Sequence, residues 1–582
     1  MALFPTWVAL LGLIAQAHGH PCDVKYPPQT QPVETRQFSK SRGAVACESE
    51  ICSTIGINTL RQGGNAADAM VATVLCVGTV GIGMYHSGIG GGGFMLIHKP
   101  DGKNESVPYE FVDFRETAPA AATENMFKNN VNASIYGGQA SGVPGELRGL
   151  EHLHKSYGHL PWSKLVQPAI DVARYGFPVN NDTLKFMKMT YTKSENESFL
   201  LNDPAWAIDF APAGRLLKFG EKLTRKRYAD TLETIASKGA SAFYEGPIAD
   251  ATIRTLKQKS GIMTTDDLKN YSVAIREPSQ INYRGGKITS GSAPSSGAVV
   301  AASLNILDGY DFLGDSRRVN DSAYLLDEAF KFGYGMRSNL GDPTFVKGLG
   351  EYQAQMYSND TAQEIRAKLD GRALQVKDYD PRGLESLDTP GTSHVVVMDN
   401  SGLAISLTTT INLNFGSQVI IPETGVIMNN EMNDFSIPGQ SNAFGFIPSE
   451  ANFIRPGKRP LSSISTTIVE GPDGKVSLVT GSAGGSRIIT ATVQVVLNAL
   501  ERNMTVHDAL AAPRLHDQLE PRQVTFEYAY DNSTVAYLKE IGNNVTWVAP
   551  GQSTAQALRR LLDGTFEAAG EPRQANSGGF ST

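Results

Sequence analysis

Apolar residues recur three and four apart through ICSTIGINTLRQGGNAADAMVATVLCVGT, residues 51–79. That spacing predicts two helices broken at Gly63-Gly64. The run HSGIGGGGFMLIHKP predicts a glycine-rich turn leading into a strand, and YEFVDFRETAP a second strand with Arg115 at its end. Residues 145–176 and 323–338 carry helical spacing. SHVVVM and LAISLTT read as two strands joined by a hairpin turn, Asp399-Asn400-Ser401-Gly402. The segment 381–393 is rich in Pro, Gly, Asp and Thr and reads as an exposed loop, and IITATVQVVLNALER as an amphipathic helix. There is no repeat and no low-complexity segment. Helices crowd the first two-thirds and strands the centre and later part, which predicts stacked sheets with helices outside.

Composition narrows the picture. The 582 residues are enough for several domains or one large α/β body, and 41% hydrophobic with 19% charged residues is globular. A net charge of −7 with no basic stripe argues against a nucleic-acid partner. WVALLGLIAQA precedes the first charged side chain, Asp23, and ends in Ala15-Gln16-Ala17, so residues 1–19 read as a secretory signal peptide. No Lys or Arg stands near Met1, and an uncleaved anchor is the rival reading. Pro5, His18 and His20 leave that run short of the ~20 apolar residues a span needs. Ten N-x-S/T sequons, at Asn104, Asn132, Asn181, Asn196, Asn270, Asn320, Asn359, Asn503, Asn532 and Asn544, fit a secreted glycoprotein of a eukaryotic secretory route. A vacuolar or membrane-anchored chain facing away from the cytosol is the alternative. The four cysteines, Cys22, Cys47, Cys52 and Cys76, would pair in such a compartment, with three connectivities open. Zinc is the weaker reading, because Cys76 sits in an apolar helical run with no His nearby.

The chemistry-bearing residues are individually ambiguous. No G-x-S-x-G elbow and no H-E-x-x-H occurs. His152 and His154 diverge on a helix, and Gly90 to Gly93 lack the Lys-Ser/Thr ending of a phosphate loop, so close backbone packing explains that run better. A hydroxyl nucleophile without a histidine needs another base. A threonine freed by cleavage of its preceding bond carries one, its own α-amine. Thr392, in an exposed loop at the mouth of a strand, is placed for that. Glu431 and Asp434 in NNEMNDF converge on a cation, form a glycosidase-like pair, or are solvated acids. RPLSSIS offers Ser462 and Ser463. In TGSAGGSR, Gly484-Gly485 presents bare backbone N–H groups suited to an oxyanion.

Taken in order, GGNAADA, GIGGGGF, FRETAP, SGVPGE, GTSHVVV, TTTINLNFGS, NNEMNDFS, RPLSSISTTIV and TGSAGGSRI resemble the γ-glutamyltransferases (γ-glutamyl transpeptidases) of the N-terminal nucleophile hydrolase superfamily, in a secreted, fungal-like eukaryotic form. The resemblance runs from about Ser39 to the carboxyl end. It implies a four-layer αββα sandwich and a precursor that cuts itself at Gly391–Thr392 into a large subunit, 20–391, and a small one, 392–582, held in one globule. It implies that Thr392 is the nucleophile and that Thr410 hydrogen-bonds to it. Gly484 and Gly485 would form the oxyanion hole. Arg115, Ser462 and Ser463 would hold a substrate α-carboxylate, and Asn412, Glu431 and Asp434 its α-ammonium. Cys52 and Cys76 match a disulfide of animal relatives, leaving Cys22 with Cys47 by elimination.

The implied activity is transfer of a γ-glutamyl group from glutathione and related compounds, through a threonine ester, to amino acids, dipeptides or water, with no metal and no organic cofactor. A head with one positive and one negative charge explains why the site should carry opposite charges at two points. Two departures stand out: Asn433, where many relatives carry an aspartate, and Phe444, which aligns with a lid tyrosine of bacterial relatives and lacks its hydroxyl. A related acylase with another substrate and a non-catalytic binding protein are the competing readings.

Overall fold

The computed structural model describes residues 41–81, 86–100, 108–382, 391–439 and 448–582. The signal-like segment, Cys22, Asn104 and Phe444 lie outside them.

Two antiparallel sheets carry the fold. The first has seven strands in the order Gly578–Ser581, Gly43–Cys47, Ser393–Asp399, Ala404–Thr410, Gly92–His98, Tyr109–Asp113 and Ala274–Arg276. The second has six: Phe566–Ala569, Thr554–Arg560, Val476–Ala483, Thr467–Glu470, Gly286–Ser290 and Ser279–Tyr283. The run SHVVVM shows how a sequence lies between two covered faces. Side chains alternate along a strand, so Val396 and Met398 join Phe94, Phe111, Ile468 and Leu558 between the sheets. Val395 and Val397 point the other way, into the core under the outer helices. Burial on both sides is what removes the polar alternation from this strand.

Helices Glu50–Arg61, Ala66–Val80, Glu146–Tyr157, Trp162–Tyr175 and Lys226–Lys238 cover the first sheet. Gly297–Leu307, Val319–Arg337 and Arg487–Leu500 cover the second. The result is the expected helix–sheet–sheet–helix sandwich.

Several elements differ from the sequence reading. Residues 145–176 form two helices, because Gly158 ends the first and Pro161 caps the second. Strands Gly43–Cys47 and Gly578–Ser581 pair the two ends of the chain through Val45↔Phe580, so strands are not confined to the centre and later part. Cys52–Cys76 is a disulfide tying the first two helices together. Cys47 is a buried thiol with no disulfide partner among the described residues; the Cys22 expected to pair with it lies outside them. The Cys47 Sγ donates to the Ser49 carbonyl at 3.2 Å and meets Ser53 Oγ at 3.0 Å. Burial pushes that thiol up to about 12. Among the described residues no helix is long and apolar enough to cross a membrane.

Candidate active site

Thr392 opens the strand Ser393–Asp399 at the centre of the first sheet, half-buried. Its φ is +108° and that of Gly391 is +144°. A β-branched residue at positive φ is held there against its own sterics. A Cβ on Gly391 would lie 1.8 Å from the Asn412 carbonyl oxygen and 3.3 Å from the His86 ring, so only glycine fits before the threonine. The residues that follow are pinned. Ser87 Oγ donates to Ser393 Oγ at 2.9 Å, and the His394 N–H reaches Glu48 Oε1 at 3.4 Å. His394 Nδ1 meets Thr408 Oγ1 at 2.8 Å, and its ring fills the space over Gly481, where a Cβ would come within 2.4 Å of it. Burial pushes His394 down to about 3, so the ring is neutral.

The neighbouring strand Ala404–Thr410 pairs Thr408 with His394 and Thr409 with Ser393. One further step of that register sets Thr410 opposite Thr392. The Thr410 hydroxyl accepts the Asn412 N–H at 2.8 Å, which leaves its own proton free to donate. Thr409 donates to the buried Glu146 carboxyl, which burial raises to about 7.

A charged cluster lies alongside. Arg115 follows the strand Tyr109–Asp113 and is only 1% exposed. Asp113 Oδ1 accepts its N–H at 3.0 Å, and the Tyr271 hydroxyl donates to its carbonyl at 2.7 Å. The guanidinium pairs with both Glu431 and Asp434 and stands 4.0 Å from Glu116. Glu431–Asp434 is one turn of 3₁₀ helix, in which positions i and i+3 eclipse, so both acids face the same way. Asn433 between them turns elsewhere, its Nδ2 donating to Ser134 Oγ at 2.7 Å.

Burial raises Glu116 to about 8, and also raises Glu431 and Asp434 against the pull of Arg115. For Arg115, burial opposes its charge, yet Glu431, Asp434 and Glu116 together outweigh that and raise it. Asn412 Nδ2 donates at 3.1 Å to the carbonyl of Asn430, the residue before Glu431, joining this cluster to the threonine strand. The acids thus meet Arg115 directly in the uncut chain, where the sequence reading set them at opposite ends of a substrate.

Ser462 and Ser463 lie just before the strand Thr467–Glu470, both nearly buried. Ser462 Oγ accepts the Ile464 N–H at 3.2 Å, and Ser463 Oγ accepts from Arg337 Nη2 at 3.1 Å. Gly484 and Gly485, at φ +120° and +62°, turn the chain from Val476–Ala483 into helix Arg487–Leu500. A Cβ on Gly484 would sit 2.6 Å from the Gln552 carbonyl oxygen. The helix Val319–Arg337 reaches both places, since Tyr334 donates its hydroxyl to the Ser486 carbonyl and Arg337 donates to Ser463.

Glu116, Glu146, Glu48 and Arg337 were not singled out in the sequence. Glu116 adjoins Arg115 within FRETAP, a signal that marks it in the sequence; the other three reveal themselves only through spatial partners. Among the described residues no group of His, Cys, Asp or Glu is arranged to hold a metal.

A sandwich of two antiparallel sheets between helices, with a strained threonine heading a central strand, is the architecture of the N-terminal nucleophile hydrolase class. Residues 52–580 match the gamma-glutamyltranspeptidase family, and the chain belongs to it. It is 53% identical over 547 residues to the glutathione hydrolase proenzyme of Arthroderma benhamiae, covering 92% of each chain. It is 48% identical over 542 residues to the glutathione hydrolase of Aspergillus flavus, covering 93% of this chain and 89% of the relative. In structure it resembles the cephalosporin acylase of Bacillus halodurans, with a TM-score of 0.80 at 25% identity over 96% of this chain and 99% of the other.

Proposed function

We propose that this chain is a self-processing γ-glutamyl acyltransferase and hydrolase, acting on glutathione and related γ-glutamyl compounds. The observation that carries this reading is the buried Arg115–Glu431–Asp434 cluster, tied by the Asn412–Asn430 hydrogen bond to the strand opposite Thr392. It offers both charges that an amino-acid head requires, next to a hydroxyl. The relatives named glutathione hydrolase support glutathione as donor.

Processing comes first. Thr392 Oγ attacks the Gly391 carbonyl, the peptide bond gives way to an ester, and water releases residues 20–391 from 392–582. The positive φ of the β-branched Thr392 favours this step by raising the energy of the intact chain at that bond. The new α-amine of Thr392 is then the base for its own hydroxyl. In turnover, Thr392 Oγ adds to the γ-carbonyl while the amine takes its proton. The N–H groups of Gly484 and Gly485 hold the oxyanion, a contribution of about 3 kcal/mol per donor. The leaving amine takes the proton and departs. Water or an acceptor amine cleaves the glutamyl ester and restores the hydroxyl. Arg115, Ser462 and Ser463 hold the α-carboxylate, and Asn412, Glu431 and Asp434 the α-ammonium. Thr410 donates to the nucleophile. The signal-like segment and the sequons support a mature enzyme that passes through the secretory route, outside the cytosol.

Thr392→Ala tests the whole reading. Gel electrophoresis should show one uncut chain with no turnover of a γ-glutamyl anilide, whereas the native chain gives two pieces, the lighter beginning Thr-Ser-His. A cut Thr392→Ala chain would refute it. The likeness to a cephalosporin acylase favours a second reading, an acylase whose acyl group lacks the amino-acid head. Faster turnover of such an acyl donor than of the γ-glutamyl anilide would select it.

A further inference from the structure

Arg337 ends the helix Val319–Arg337 and is 1% exposed. Among the described residues no carboxylate lies within ion-pair distance of it. Asp434 attracts it only from beyond ion-pair distance, and a buried cation with no carboxylate in contact is costly and is retained where something compensates it. Its bonds show what it serves. Nε donates to Ser296 Oγ at 2.9 Å, and Ser296 Oγ donates in turn to the Ser462 carbonyl at 2.6 Å. Nη2 donates to Ser463 Oγ at 3.1 Å. One guanidinium therefore grips the Ser462-Ser463 pair at two points.

The consequence lies in the hydroxyl protons. A serine hydroxyl has one proton and two lone pairs. Ser463 receives Arg337 on a lone pair, and Ser462 receives the Ile464 N–H at 3.2 Å in the same way. Neither needs its proton for an internal bond, so both present O–H donors. Meanwhile Arg115 is already engaged by Glu431 and Asp434. Arg337 is a second positive charge nearby, and among the described residues no carboxylate is in ion-pair contact with it.

We propose that Arg337 is a positioning and specificity-determining residue for the γ-glutamyl donor: it sets the Ser462 and Ser463 hydroxyls as donors to the α-carboxylate and stands behind them as that carboxylate's second positive charge. This rests on the proposed γ-glutamyl activity and deepens it.

The test compares two donors, the γ-glutamyl anilide and the 4-aminobutanoyl anilide, which keeps the amine and the scissile amide but has hydrogen in place of the carboxylate. Arg337→Met should raise KM for the γ-glutamyl donor at least about tenfold, the loss expected for a charge-assisted contact. It should leave kcat/KM for the carboxylate-free donor within about threefold, so the preference between the two collapses. Arg337→Lys should recover part of it. Self-cleavage at Thr392 reports folding of each variant. If Arg337→Met does not fold, Ser296→Ala severs only the path to the Ser462 carbonyl and should lower the same preference by a smaller factor. Equal losses on both donors would overturn the inference. A native enzyme that does not distinguish the two donors would instead overturn the γ-glutamyl reading beneath it.

Discussion

At the scale of single residues, the central fact is one guanidinium among three carboxyls. Arg115 neutralises Glu431 and Asp434, while Glu116 is held up at about 8 and stays protonated at neutral pH. Removing the arginine leaves buried acids that can still take protons, so the loss falls on substrate binding first. Arg115→Ala is expected to lower kcat/KM for a γ-glutamyl anilide more than a hundredfold, about 3 kcal/mol at 1.4 kcal/mol per factor of ten. Its thermal midpoint should fall further below the native one at pH 8 than at pH 6, because the stranded carboxyls are protonated more readily at the lower pH. Unchanged kinetics would remove Arg115 from the site. Arg115, Glu431 and Asp434 were legible because they stand in compact, ordered motifs. Arg337 was not, because a basic residue in the last turn of a helix is ordinary and its partners Ser296 and Ser463 are 41 and 126 positions away.

At the scale of elements, the run Gly90–Gly93 is where sequence and structure meet best. The sequence denied it a phosphate and predicted close backbone approach. A Cβ would lie 1.9 Å from the Ile427 carbonyl oxygen at Gly90, 2.0 Å from that of Thr410 at Gly91, 2.4 Å from that of Phe114 at Gly92 and 2.0 Å from that of Thr408 at Gly93. These contacts are to backbone, so no rotamer change relieves them. Gly91→Ala must push the Thr410 peptide away from its place opposite Thr392. Slower appearance of the two fragments and a lower kcat in the cut fraction are expected, both measurable on one purified sample. Native processing and turnover would show that the Thr410 position is not critical. The hairpin Ser393–Thr410 was legible for a similar reason: its pattern and its Asp399–Gly402 turn are local, and Gly402 stands at φ +84° as such a turn asks. The strands Gly43–Cys47 and Gly578–Ser581 were not, since two short, small-residue segments at opposite ends of a chain announce their pairing only in space.

At the scale of the molecule, residues on either side of Gly391–Thr392 contribute strands to both sheets, so the proposed scission would leave two pieces interleaved within one core. That core buries titratable groups whose shifts have opposite consequences. Glu48 and Glu116 are raised to about 8, and Glu146 and Glu328 to about 7, in each case chiefly by burial. In the unfolded chain such acids ionise near 4.3. Between those values the folded state holds more protons than the unfolded one, so stability falls as pH rises through the window. His86 and His394 are pushed down to about 3 by burial and act the other way. Their stability is complete above the unfolded value near 6.5 and is lost as pH falls below it. Lys458, lowered to about 8 by burial, favours the folded state only as pH rises beyond that. From pH 6.5 to 8 the raised acids therefore act with the least opposition. The thermal midpoint, read by calorimetry at one scan rate, should fall across that interval, and Glu48→Gln, neutral at every pH, should flatten the decline. A midpoint that holds level or climbs from pH 6.5 to 8 would mean that these carboxyls are ionised in the native protein and that the core satisfies them in some other way.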